Sequence, residues 1–133
     1  MIVDTSAVIA ILFVEAERDV LIDALLRATA RDMSAGSSIE LTAVLTRSAR
    51  GGLQEANDIL AKLAIDIAPV TIAQARIGQA AYAQYGRGTG HSAGLNFGDC
   101  FAYALAKESG RPLLYKGHGF AAADVVAAIS PAP

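Results

Sequence analysis

The stretch Leu95-Asn96-Phe97-Gly98-Asp99-Cys100-Phe101 places an acid where a loop turns into a helix. The run onward to Lys107 is apolar on almost every side, with Phe97, Phe101, Ala104 and Leu105 at helical spacing, which predicts a buried helix over residues 97–107. Asn96 reads as its N-cap and Asp99 as a third-position residue whose carboxylate meets free backbone N–H groups. What decides the fold is that two other acids, Asp4 and Glu40, sit at junctions of the same kind.

Working outward, Met1-Ile2-Val3 is a short apolar strand stopped by Asp4-Thr5-Ser6, three residues typical of a helix start. Helices follow over 7–13 and 16–28, and 31–35 reads as a second strand. In Gly36-Ser37-Ser38-Ile39-Glu40 the serine at 37 and the acid at 40 have capping-box spacing, which places Glu40 in the first turn of a helix ending near Gly51. A helix over 53–64, a strand over 67–70 and a helix over 72–85 come next. Residues 86–94 hold four glycines and predict a mobile loop leading into Asp99. Gly110 ends the buried helix, 112–115 is a fourth strand, Lys116-Gly117-His118-Gly119 is a turn, and 125–129 offers a fifth strand. Strands alternating with helices predict an α/β fold with a parallel sheet of four to five strands covered on both faces. Helices that follow strands in such a sheet begin at its carboxyl edge, where ligands bind, so Asp4, Glu40 and Asp99 are expected at one edge.

Composition narrows the function classes. A chain of 133 residues, 53% hydrophobic, suffices for one domain, read here as 1–133. The start meets a charge at once and no apolar run reaches the ~18 residues of a membrane span, so a soluble cytoplasmic protein with no membrane partner is expected. Cys100 is the single cysteine, which excludes an internal disulfide and a multi-thiolate metal site. The net charge of −2 is unevenly spread: residues 67–133 carry five bases against three acids, leaving room for a local basic rim.

Three carboxylates in one cleft repel one another and raise their pKa values unless a positive charge sits among them. Helix N-termini supply part of it, and a hard divalent cation with oxygen ligands, Mg²⁺ or Mn²⁺, supplies the rest. The chemistry expected of such a site is metal-activated water attacking a phosphodiester. Each acid alone also reads as an ordinary cap; their joint appearance at three junctions points to a site. His91 and His118 match no metal-binding spacing and read as loop or RNA-contacting residues.

The segments Ile2-Val3-Asp4-Thr5-Ser6-Ala7, Ser38-Ile39-Glu40, Gly94-Leu95-Asn96-Phe97-Gly98-Asp99-Cys100 and Pro112-Leu113-Leu114-Tyr115-Lys116-Gly117, in that order, resemble PIN-domain ribonucleases, specifically the VapC toxins of bacterial toxin–antitoxin pairs. The resemblance covers nearly the whole chain. It implies a three-layer α/β/α sandwich and a metal-dependent endoribonuclease. It also implies a homodimer and a VapB-type antitoxin whose C-terminal segment occupies the active-site groove. By it Asp4 and Asp99 are metal ligands, Glu40 is the further catalytic acid, and Thr5 or Ser6 orients Asp4 or touches phosphate. Arg87, His91 and Lys116 are the RNA-contacting candidates. The family often has a Lys-Gly-acid-Asp-Phe segment where this chain reads Lys116-Gly117-His118-Gly119-Phe120, so an acid is missing at Gly119; Asp124 is the candidate to replace it. Two other readings compete. A phosphoacceptor receiver module needs adjacent acids after strand one and an acceptor aspartate after strand three, and neither is present. A PIN-fold binding protein without activity is kept open by Gly119.

Overall fold

β1 (Ile2–Val3) lies inside a four-stranded parallel sheet, between β2 (Asp32–Ser34) and β4 (Leu113–Leu114), with β3 (Asp66–Ala68) beyond β2. The computed structural model describes residues 1–130, so the last three positions of the expected domain lie outside the described residues. Ile2 pairs with Asp32 and Leu113, and Val3 with Leu114. Ile2 and Leu113 join one core and Val3 and Leu114 the other, and none of the four is more than 1% exposed. A strand buried on both faces needs consecutive apolar residues, which is why Ile-Val and Leu-Leu mark these strands.

The first core is built from α1 (Thr5–Leu12), α2 (Arg18–Arg27), α3 (Ala35–Arg47) and α4 (Leu53–Lys62). The second is built from α5 (Ile72–Tyr85) and α6 (Asp99–Ser109). The result is the expected three-layer sandwich. Gly110 ends α6 in the left-handed region at φ 65°, as its position predicts. The expected fifth strand reduces to one bridge, in which the Leu113 N–H donates to Val126 O and the Ala128 N–H to Leu113 O, both at 2.8 Å.

Two local expectations are corrected. β2 passes into α3 without a loop, so the helix starts a turn early: Ser34 is its N-cap, accepting the Gly36 N–H at 3.2 Å. The Ser37 hydroxyl is buried without a partner, so the Ser37–Glu40 capping box does not form and Glu40 falls in the second turn. Phe97 is outside the core at 75% exposure, because α6 begins only at Asp99. Phe101 keeps the inward position instead, its ring pressed on Gly36 of α3, where a Cβ would lie 2.3 Å from ring atoms.

Candidate active site

Asp4 stands at the end of β1 and is 2% exposed. Its Oδ2 caps α1, accepting the Ser6 N–H at 2.9 Å and the Ser6 hydroxyl at 2.5 Å. Oδ1 is buried and has no hydrogen-bond partner. An ionised carboxylate with one oxygen unsatisfied in a dry site is costly. Burial accordingly pushes the Asp4 carboxyl up to about 7; the Ser6 bonds oppose this, and the charges of Asp99 and Glu40 add to it. The cap and the site are therefore one residue using its two oxygens differently.

Glu40 reaches from α3 to the start of α6. A Cβ built on Gly98 would sit 1.4 Å from Glu40 Oε2, so the carboxylate occupies the space that any other residue at 98 would fill. Burial raises the Glu40 pKa, and the charge of Asp99 adds to the rise. Asp99 and Asn96 cap each other: the Asn96 N–H donates to Asp99 Oδ2 and the Asp99 N–H to Asn96 Oδ1, each at 2.8 Å. This is the cap expected from the sequence, in reciprocal form. Burial raises Asp99 too, with the Asn96 N–H and the Arg87 charge opposing. Three acids from the end of β1, from α3 and from the start of α6 thus lie within electrostatic reach of one another, although the sequence makes them distant.

The remaining candidates divide. Ser6 orients Asp4 and also accepts the Lys116 N–H at 3.0 Å, which ties the turn after β4 to the acid. Thr5, 4% exposed, gives its hydroxyl to the Ser37 carbonyl at 3.1 Å. Arg87 is exposed and its charge is felt at Asp99. His91 is exposed, with Nδ1 accepting the Ala93 N–H at 3.1 Å and its ring edge-on to Tyr85. The base of the loop expected to be mobile is pinned: the Arg87 N–H donates to Leu95 O at 2.8 Å and the Leu95 N–H to Tyr85 O at 2.9 Å.

Lys116 is engaged rather than free, with Nζ paired to Glu15 and, at 3.3 Å, to Glu17. Neither partner was legible, since both lie about a hundred residues away. Asp124 does not face the acids. Its carboxylate accepts the Tyr103 hydroxyl and the Lys107 ammonium from the middle and second half of α6, which draws it along the helix away from Asp99. Its role as stand-in acid is corrected to that of a clasp between the C-terminal segment and α6. Asp124→Ala is expected to lower stability by about 1 kcal/mol in a denaturant titration, leaving Mn²⁺-dependent cleavage at the parent rate. Gly119 is tightly placed: a Cβ there would lie 3.1 Å from the Ala93 carbonyl oxygen. The loop backbone thus crowds the place of the missing acid, and Gly119→Asp is expected to lower the melting temperature rather than raise metal affinity, as calorimetry on one sample can read.

The donor set fits a hard cation. All three side chains are carboxylates, and the orphaned Asp4 Oδ1 is a buried acceptor in want of a positive partner. Among the described residues no three His, Cys, Asp or Glu side chains converge closely enough to cage an ion alone. A divalent cation there would complete its shell with water and substrate oxygens.

The family model for the PIN domain matches residues 1–126. The chain belongs to the PIN-domain family. It is 50% identical to ribonuclease VapC28 of Mycobacterium tuberculosis over 121 residues, 90% of this chain and 91% of that one. Two solved structures share the fold: VapC20 of Mycobacterium tuberculosis, a sarcin-ricin loop cleaving toxin (TM-score 0.70, 19% identity, 94% and 95% of the two chains), and a toxin–antitoxin complex from Klebsiella pneumoniae (TM-score 0.69, 16% identity, 94% and 93%). Within the family the chain is a VapC-type ribonuclease, the toxin component of a toxin–antitoxin system. VapC toxins pair with antitoxins, and PIN-domain ribonucleases of this type depend on a divalent metal. Of the competing readings, the receiver module is set aside by this membership.

Proposed function

We propose that this chain hydrolyses single-stranded or loop RNA with Asp4 and Asp99 holding Mg²⁺, Mn²⁺ serving as a substitute, and Glu40 as the third acid. The observation that carries the reading is Asp4 Oδ1, a fully buried acceptor without a partner beside two further acids whose pKa values burial also raises. The cation, when bound, neutralises the carboxylates, polarises the water that attacks phosphorus and stabilises charge on the transition state. Ser6 holds Oδ2 of Asp4 so that Oδ1 stays available. Asn96 fixes Asp99 in the same way through its backbone N–H. Glu40, its pKa raised by burial, is suited to receive the proton of the attacking water at a carboxylate oxygen.

Arg87 meets substrate phosphate at the rim, with the exposed imidazole of His91 on the same loop. Lys116 joins them only on leaving Glu15 and Glu17. The partners are a VapB-type antitoxin and a second copy of the chain; exposed Leu26 and Leu53, at 69% and 67%, are apolar surface in want of cover. The protein acts in the cytoplasm, and among the described residues no helix is long and apolar enough to cross a membrane.

Cleavage of an RNA oligonucleotide with Mg²⁺, with Mn²⁺ and with EDTA tests the metal claim; activity undiminished by chelator would sink it. Arg87→Ala is expected to weaken RNA binding and lower the slope of log affinity against log salt by about 0.7 for each single-strand phosphate it ceases to neutralise, with Mn²⁺ affinity unchanged. An unaltered salt titration removes Arg87 from the interface.

A further inference from the structure

Between α5 and α6 runs an apolar groove of about 280 Å³, lined at one end by Tyr82, Phe97, Cys100 and Phe101. None of the three acids lines the groove, but Phe97 and Cys100 flank Asp99 in the chain. Phe97 is separated from Asp99 only by Gly98, the residue against which the Glu40 carboxylate packs, so the two Cα atoms are no more than about 7 Å apart. A large apolar ring 75% exposed costs free energy unless something covers it. The ring is braced from behind by Phe101, edge-on with centroids 5.2 Å apart, so its outer face is presented rather than collapsed onto the surface. Tyr82 lines the same groove and donates its hydroxyl to the Arg87 carbonyl at 3.3 Å, which ties the backbone of Arg87, whose charge is felt at Asp99, to the aromatic surface.

Exposed aromatic faces joined to a cation are how proteins hold unpaired bases, because every base has a stackable face and a phosphate beside it. We propose that Phe97, backed by Phe101 and flanked by Tyr82, is a nucleobase subsite: an unpaired base next to the scissile phosphate stacks on Phe97 while Arg87 meets the neighbouring phosphate. The proposal rests on the ribonuclease reading and adds a base contact to it. Phe97 makes no contact with the reacting atoms; it positions the substrate.

The test uses the full chain and an RNA oligonucleotide with a mapped cleavage site, made intact and with one abasic nucleotide at each position flanking the cut. Phe97→Ala is expected to raise KM by about 5- to 100-fold, the range for loss of one stacked base, with kcat held, and Phe97→Trp to keep the parent KM. At one flanking position the abasic RNA should lose about the same factor with the parent and nothing further with Phe97→Ala. Direct binding in EDTA should show the same pattern without cleavage. An equal abasic penalty in both proteins overturns the subsite alone. So does a Phe97→Ala change confined to self-association or antitoxin binding with KM intact. Failure of the parent to cut RNA in Mg²⁺ overturns the ribonuclease reading and the subsite with it.

Discussion

Asp4→Asn is expected to lower RNA cleavage at least ~100-fold while making the metal-free protein more stable at pH 8. On the proposed reading of Asp4 as a ligand, the loss follows from removing its charge, where even groups behind a metal's ligands are worth about 10–100-fold. The gain follows from linkage. The folded Asp4 carboxyl titrates at about 7, above its ordinary 3.8, so the folded protein holds a proton that the unfolded chain has released across that window. Below pH 4 both states are protonated and nothing is lost. Stability then falls as pH rises from about 4 to 7, and above 7 the full penalty persists, at most about 4 kcal/mol from the separation of the two values. Asparagine still caps α1 through its side-chain oxygen and has no charge to bury. Thermal unfolding in EDTA at pH 5 and pH 8 should therefore show the parent weakening with pH and the variant weakening less, the remainder coming from Glu40 and Asp99, whose pKa values burial also raises. Mg²⁺ should flatten the parent's dependence. A parent equally stable at both pH values in EDTA would remove the buried charge from the argument.

How much of this was legible in the sequence depends on whether the signal was local. Helix 72–85 and the stop at Gly110 follow from periodicity and from a glycine able to adopt positive φ, and both stand as read. Asp4 and Asp99 were legible because each opens a helix and caps it with its own neighbours. Glu40 was picked for the wrong local reason. Its box with Ser37 does not exist, and what holds it near Asp99 is the missing side chain at Gly98, a contact between α3 and α6 with no trace in either segment. Phe97 was misplaced because periodicity carries the apolar stripe up to the cap at Asn96, whereas the regular helix starts at Asp99 and the ring stays at the surface. Asp124 was misjudged through partners that no spacing rule brings together, and the ion pairs of Lys116 with Glu15 and Glu17 left no local trace either.

Gly98→Ala is the sharpest test of that tertiary contact, and it is expected to cost about 10–100-fold in cleavage with little loss of fold stability. Gly98 sits at φ −63°, ψ −38°, ordinary helical values that alanine adopts freely, so backbone strain is not the cause. Alanine is moreover the better helix former. The new Cβ would meet Glu40 Oε2 at 1.4 Å, and because that atom is the end of a flexible side chain, the carboxylate swings away while the helices stay. The site then keeps Asp4 and Asp99 but loses its third acid from position. The claim separates from a general disturbance of α6 by a double-mutant cycle. In a Glu40→Ala background the carboxylate is already gone, so adding Gly98→Ala should change cleavage by less than about twofold, whereas in the parent it removes most of the activity. Equal losses in both backgrounds would mean that the methyl group acts on Asp99 or on the helix start itself, and that the space at Gly98 is not there for Glu40.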